Sequence, residues 1–164
     1  MKHTISVLVE NKFGVLSRIS GLFSGRGFNI ESLSVAETMD PTVSRMTIVT
    51  RGSDQIIEQV TKQLNKLVDV IKVNDLTNEK FIDREMVLIK VDTDQAVKRD
   101  EILRVVEIFR CKVADVSPRA YTIEITGDEG KINAIVEMLK PIGIKEIVRT
   151  GRIAMIRGSK SLTG

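Results

Sequence analysis

One order of periods runs through this chain twice, and that repeat constrains the fold more than any single motif. Thr4 to Glu10 reads as a β-branched strand. Val15 to Gly25 reads as a helix, with Leu16, Ile19 and Phe23 at helical spacing and Gly25 and Gly27 as its stop. Phe28 to Thr38 alternates as a strand with Leu33 and Val35 on one face, and an Asp40-Pro41 turn leads into a further strand, Ser44 to Arg51. A helix starts near Ser53 or Asp54 with a stripe of Ile57, Val60, Leu64 and Leu67, and Val68 to Asn74 closes the unit as a strand. After Thr77-Asn78-Glu79-Lys80 the order returns. Met86 to Val91 is a strand, and Asp100 to Arg110 a helix with Ile102, Val106 and Phe109 inward. Lys112 to Val116 and Tyr121 to Thr126 form a hairpin across Ser117-Pro118. Asp128 caps a helix striped with Ile132, Ile135, Val136 and Leu139, which Pro141 and Gly143 end; Ile144 to Ile156 is a last strand or pair of strands.

The order βαββαβ, read twice, predicts an α+β chain of two tandem ferredoxin-like sandwiches. The expected boundaries are 1–76 and 84–158, with a linker at 77–83 and a flexible tail at 159–164. Domains of about 75 residues are near the lower limit for independent stability. Each leaves one sheet face without helices, and Ser44 to Thr50 and Tyr121 to Thr126 read as apolar on both faces. Cover from the other domain or another chain is therefore expected, and with it a homo-oligomer.

Composition narrows the function classes. The 25 basic and 22 acidic residues leave a net charge of only +3, too small and scattered for a nucleic-acid partner. Aromatic residues, at 4%, provide no stacking platform for RNA. The single cysteine, Cys111, cannot form an internal disulfide, which fits a reducing cytoplasm. No run approaches a membrane span, and MKHTISVLVE lacks a signal-peptide layout. The one histidine, His3, is expected at a surface or disordered position at the chain start. With one His and one Cys, no catalytic triad and no His/Cys metal cluster is expected. Asp92-Thr93-Asp94 and Asp128-Glu129 read as loop and capping acids.

One segment carries chemistry: NKFGVLSRISGLFSGRGFNI, from Asn11 to Ile30. A helix start offers unpaired N–H groups and partial positive charge, which suit a carboxylate. Gly14 sits at that start, where Ser, Thr, Asn or Asp are the stronger caps, so a ligand can approach the N–H groups of Val15 and Leu16. Lys12 is basic and no acid follows it. Asn11 and Asn29 offer amide groups for an ammonium, and Val15, Leu16, Phe28 and Ile30 an apolar lining. Read blandly, Asn11 is a turn or cap residue and Gly25 and Gly27 are helix stops. A helix of eleven residues spans roughly 16 Å, so one small amino acid cannot touch both asparagines of one copy. The helix start of one copy would face the strand start of its mate, giving two equivalent sites in a two-fold dimer. The second repeat has DTDQAVKRDE at this place, which reads as a longer, acidic loop unsuited to a carboxylate.

NKFGVLSRISGLFSGRGFNIESLSVAETMDPTVSRMTIVT, with VDVIKVNDLT, REMVLIKV and the ending TGRIAMIRG, resembles the small regulatory subunits of acetolactate synthase (acetohydroxyacid synthase) over nearly the full length. The first half resembles an ACT domain. The resemblance implies a non-catalytic, cytoplasmic chain without cofactors of its own, paired as a homodimer through its ACT domains. It implies a large catalytic partner carrying thiamine diphosphate, Mg and FAD, which the small subunit activates. It also implies feedback inhibition by valine, in the biosynthesis of branched-chain amino acids. Carried onto this sequence, the effector residues are Asn11, Gly14, Val15 and Leu16 of one copy with Asn29 and Ile30 of the other.

Overall fold

The computed structural model describes residues 1–162, which form two compact units: residues 1–82 with 152–162, and residues 83–151. The first unit contains β1 (Lys2–Glu10), α1 (Val15–Gly25), β2 (Ile30–Glu37), β3 (Val43–Arg51), α2 (Asp54–Asn65) and β4 (Val70–Asp75). Its sheet order is β2-β3-β1-β4 and its pairings are antiparallel, the ferredoxin-like arrangement. Strand alternation sends Ile5, Val7 and Val9 of β1 and Met46 and Ile48 of β3 to the helix side. There they pack with Val15, Ile19 and Phe23 of α1 and Ile57, Val60 and Leu64 of α2 into one buried core. Leu67 lies past the end of α2 yet packs against the same core.

The second unit repeats this order. It contains most of β5 (Phe81–Asp92), then α3 (Ala96–Phe109), β6 (Lys112–Val116), β7 (Ala120–Gly127), α4 (Glu129–Leu139) and β8 (Ile144–Arg149). The strand order is β6-β7-β5-β8, again antiparallel. Val87, Ile89 and Val91 of β5 and Ile123 and Ile125 of β7 pack under Ile102, Val105, Ile132, Ile135 and Leu139.

Three expectations change. β5 begins at Phe81, so the second half of the expected linker is strand. The second unit closes at Gly151, ahead of the expected boundary at 158, because β9 (Ile153–Ile156), although it pairs with β5, packs on β3 of the first unit. Lastly, the helix-free faces are more polar than expected. In β3 that face carries Arg45, Thr47 and Val49, and in β7 it carries Thr122, Glu124 and Thr126. Of the expected tail, residues 163 and 164 lie outside the described residues.

Candidate functional site

The segment around α1 is built by the end of β1. Asn11 donates its backbone N–H to the Thr42 carbonyl at 2.8 Å and its side-chain Nδ2 to the Pro41 carbonyl at 3.0 Å. The loop before α1 is thereby tied to the β2–β3 turn, and Asn11 keeps only its Oδ1 as an acceptor for an ammonium. Gly14 caps α1 at φ +83° without any side-chain hydrogen bond, and no acid stands in the first turn. The Val15 N–H, expected to be open, bonds the Lys12 carbonyl at 3.4 Å, and no cap side chain takes the N–H groups that follow it. Val15 is buried, while Leu16 is 43% exposed beside it.

Two ion pairs border this helix start. Lys12 Nζ lies 2.8 Å from Glu10, whose hydrogen bond and charge raise the lysine pKa. Arg18, one turn into α1, pairs with Asp69. A Cβ placed on Gly14 would lie 3.1 Å from Arg18 Nη1, so this guanidinium stands directly over the cap. From sequence, Arg18 reads only as part of a solvated face. Its spacing of four residues from Gly14 was the signal, since i and i+4 share a helix face.

Asn29 and Ile30 sit at the other end of the sheet. Ile30 pairs with Thr50, and Thr50 with His3, whereas Asn11 follows Glu10, which pairs with Val43. Seven residues from His3 to Glu10 span roughly 23 Å at about 3.3 Å per residue. The Asn29 carbonyl accepts from Thr50 Oγ1 at 2.8 Å, its side chain is exposed, and Ile30 packs half-buried against the core. The structure thus brings Asn11, Gly14, Val15 and Leu16 together and leaves Asn29 and Ile30 apart from them within one copy.

A model of the acetohydroxyacid synthase small-subunit-like ACT domain matches residues 5–72, and one of the small subunit of acetolactate synthase matches residues 84–158. This chain belongs to the acetolactate synthase small-subunit family. Over 156 residues it is 58% identical to the small subunit of Aquifex aeolicus, covering 95% of this chain and 81% of that protein. A probable small subunit of Archaeoglobus fulgidus is 53% identical over 160 residues, 98% of this chain and 99% of that one. The crystal structure of the Thermotoga maritima small subunit matches with a TM-score of 0.87 at 44% identity, covering 98% and 99% of the two chains. The ACT-domain match falls within the first unit.

Two sequence expectations about the remaining groups are corrected. His3 is not at the surface: it is 2% exposed, with Nδ1 3.1 Å from Asp75 Oδ2 and 3.2 Å from Thr77 Oγ1. Its Nε2 lies 3.2 Å from Asp54 Oδ1 but is not aligned for a hydrogen bond. It ties β1 to the end of β4. The loop of the second repeat is also shorter than it reads, three residues against four, because α3 starts at Ala96 and takes in Asp100 and Glu101, leaving Asp92 and Asp94 before it. Asp92 and Asp94 there both pair with Lys98, at 3.3 and 3.1 Å. The α3 cap, Gln95, makes no side-chain cap bond. Among the described residues no group of acids, histidines or cysteines is placed to hold a metal, and no helix is long and apolar enough to cross a membrane.

Proposed function

We propose that this chain is the non-catalytic regulatory subunit of acetolactate synthase, a homodimer through its ACT domains. It activates the thiamine-diphosphate-dependent large subunit in the cytoplasm and confers feedback inhibition by valine. Thiamine diphosphate, Mg and FAD belong to the large subunit in this reading. The ligand carboxylate sits on the start of α1 under Arg18, its ammonium on asparagine carbonyl oxygens, and its side chain on Val15 and Leu16 with Ile30 of the mate. The observation that carries the reading is the separation of the two half-sites to opposite ends of one sheet, next to an uncapped, acid-free helix start. Only a second copy can bring those halves to one small ligand. Inhibition then requires tighter valine binding to one state of the holoenzyme than to another.

A mixing experiment tests the site. Gly14→Asp puts a carboxylate where the ligand's belongs, and Asn29→Ala removes the mate's amide; each alone should lose valine binding in calorimetry. Gly14→Asn, which tolerates the same left-handed backbone without charge, should bind valine better than Gly14→Asp. Co-refolding the two defective chains should restore binding, since one site of each mixed dimer receives Gly14 and Asn29 intact. Random pairing recovers about a quarter of the sites. No recovery, or full valine binding by both single variants, would refute the two-copy pocket. Copurification of the chain with a large thiamine-diphosphate enzyme checks the partner.

A further inference from the structure

The helix-free face of the first sheet carries Thr4, Ser6 and Leu8 on β1, Arg45, Thr47 and Val49 on β3, and Ser32, Ser34 and Ala36 on β2. Much of this polar floor is nonetheless buried, with Ser6 at 0% exposure and Thr4 and Thr47 at 4%. The end of the chain returns to it. Arg45 Nη2 donates to the Ala154 carbonyl at 2.9 Å while its Nε donates to Ser6 Oγ at 3.0 Å. The Arg152 N–H donates to Ser32 Oγ at 2.9 Å, and the Arg157 N–H to the Lys80 carbonyl at 2.8 Å. Within β9 only Ala154 is buried; Ile153 and Met155 are 57% and 61% exposed. Hydrogen bonds to this largely polar floor, together with the pairing of β9 with β5, therefore hold this segment more than an apolar seam does. Such a floor rehydrates at low cost when the segment lifts, which is the signature of an element that opens separately from the core.

We propose that residues 152–157 are a detachable strap fastened by Arg45 and Ser32, which act as positioning residues for the effector response. Ser32 follows Ile30 by two residues on the strand that starts at the proposed half-site. The strap continues directly from Gly151, the last residue of the second unit. An effector bearing on the start of β2 moves Ser32, and Ser32 sets how firmly the strap is held. This last step rests on the effector reading given above.

Hydrogen exchange on the full chain, read by mass spectrometry, tests both steps. In the unaltered protein, residues 152–157 should exchange through an opening easier than that of β1 and β3. Arg45→Met keeps an unbranched stem and removes the guanidinium; it should speed exchange of the strap roughly tenfold or more, with β1 and β3 unchanged. Ser32→Ala should speed it by a smaller factor with Arg45 in place. Exchange of the strap together with the core, or indifference to both variants, overturns the strap. Saturating valine should slow strap exchange in the unaltered protein and not in Ser32→Ala, although calorimetry still finds valine bound to that variant. Valine binding with strap exchange unmoved overturns the coupling and leaves the effector reading standing. Failure of the unaltered protein to bind valine overturns both, while the Arg45→Met comparison still judges the strap alone.

Discussion

At the scale of single residues, Gly14 answers two demands at once. Its φ of +83° favours glycine on backbone grounds alone, and the absence of a side chain also leaves the helix start open beneath Arg18. Asp92 marks the contrasting loop of the second unit. The Asp94 backbone N–H, and after it the Lys98 side chain, hold the Asp92 carboxyl below the ordinary 3.8. The fold therefore favours the charged form, and the associated stability is present above the ordinary carboxylate pKa. It is lost as pH falls through the lower value of the folded state. Denaturant titrations of the unaltered protein and of Asp92→Asn should converge as the pH is lowered below that range and separate above it. A constant offset between the two at all pH values would assign the effect to packing instead.

At the scale of elements, the helix starts sort by what occupies them. Asp128 caps α4 by accepting from the Lys131 N–H at 2.9 Å, and Ser53 caps α2 through a longer 3.4 Å bond to Ile56. α1 has neither a capping side chain nor an acid in its first turn, and Ile19 and Phe23 anchor it in the core. Asp128→Ala should cost about 1 kcal/mol in equilibrium unfolding, and Ser53→Ala less. Equal losses would mean that cap geometry is not deciding the matter. The same contrast explains what could be read in advance. α4 announces itself through Asp128 and a strict apolar stripe, and α1 through its spacing and its glycines. α3 does not: Gln95 makes no side-chain cap bond, and Val97 in its first turn faces solvent at 66% exposure, so that turn passes for loop. The pair of strands over Ile144 to Ile156 forms as β8 and β9, but where β9 packs was illegible for another reason. Ile144 to Ile156 mixes β-strand formers with Lys145, Glu146, Arg149 and Arg152, while the contact that draws Ala154 to the first unit is with Arg45, 109 residues earlier. The hydrogen-bond partners of buried His3, Asp75 and Thr77, likewise lie where local periodicity does not connect them to it.

At the scale of the whole molecule, the two proposed half-sites lie at opposite ends of one sheet and need a second copy to join them. β2 and β4 are the edges of the first sheet, and an edge strand with free N–H and C=O groups is a template for pairing with another copy. If valine needs both copies, its binding and the dimer are linked, and each strengthens the other. Two equivalent sites multiply the dimerisation constant by the square of one plus the ratio of free valine to its Kd. With valine tenfold above Kd this amounts to about 100-fold tighter association, against no change for a site contained within one copy. Sedimentation equilibrium over a dilution series, with and without valine, measures that factor directly. Glycine under the same conditions controls for non-specific effects, because it offers the same carboxylate and ammonium without a side chain for Val15, Leu16 and Ile30. A dimer tightened equally by both amino acids would place recognition in the polar grip alone, and one tightened by neither would return the site to a single chain.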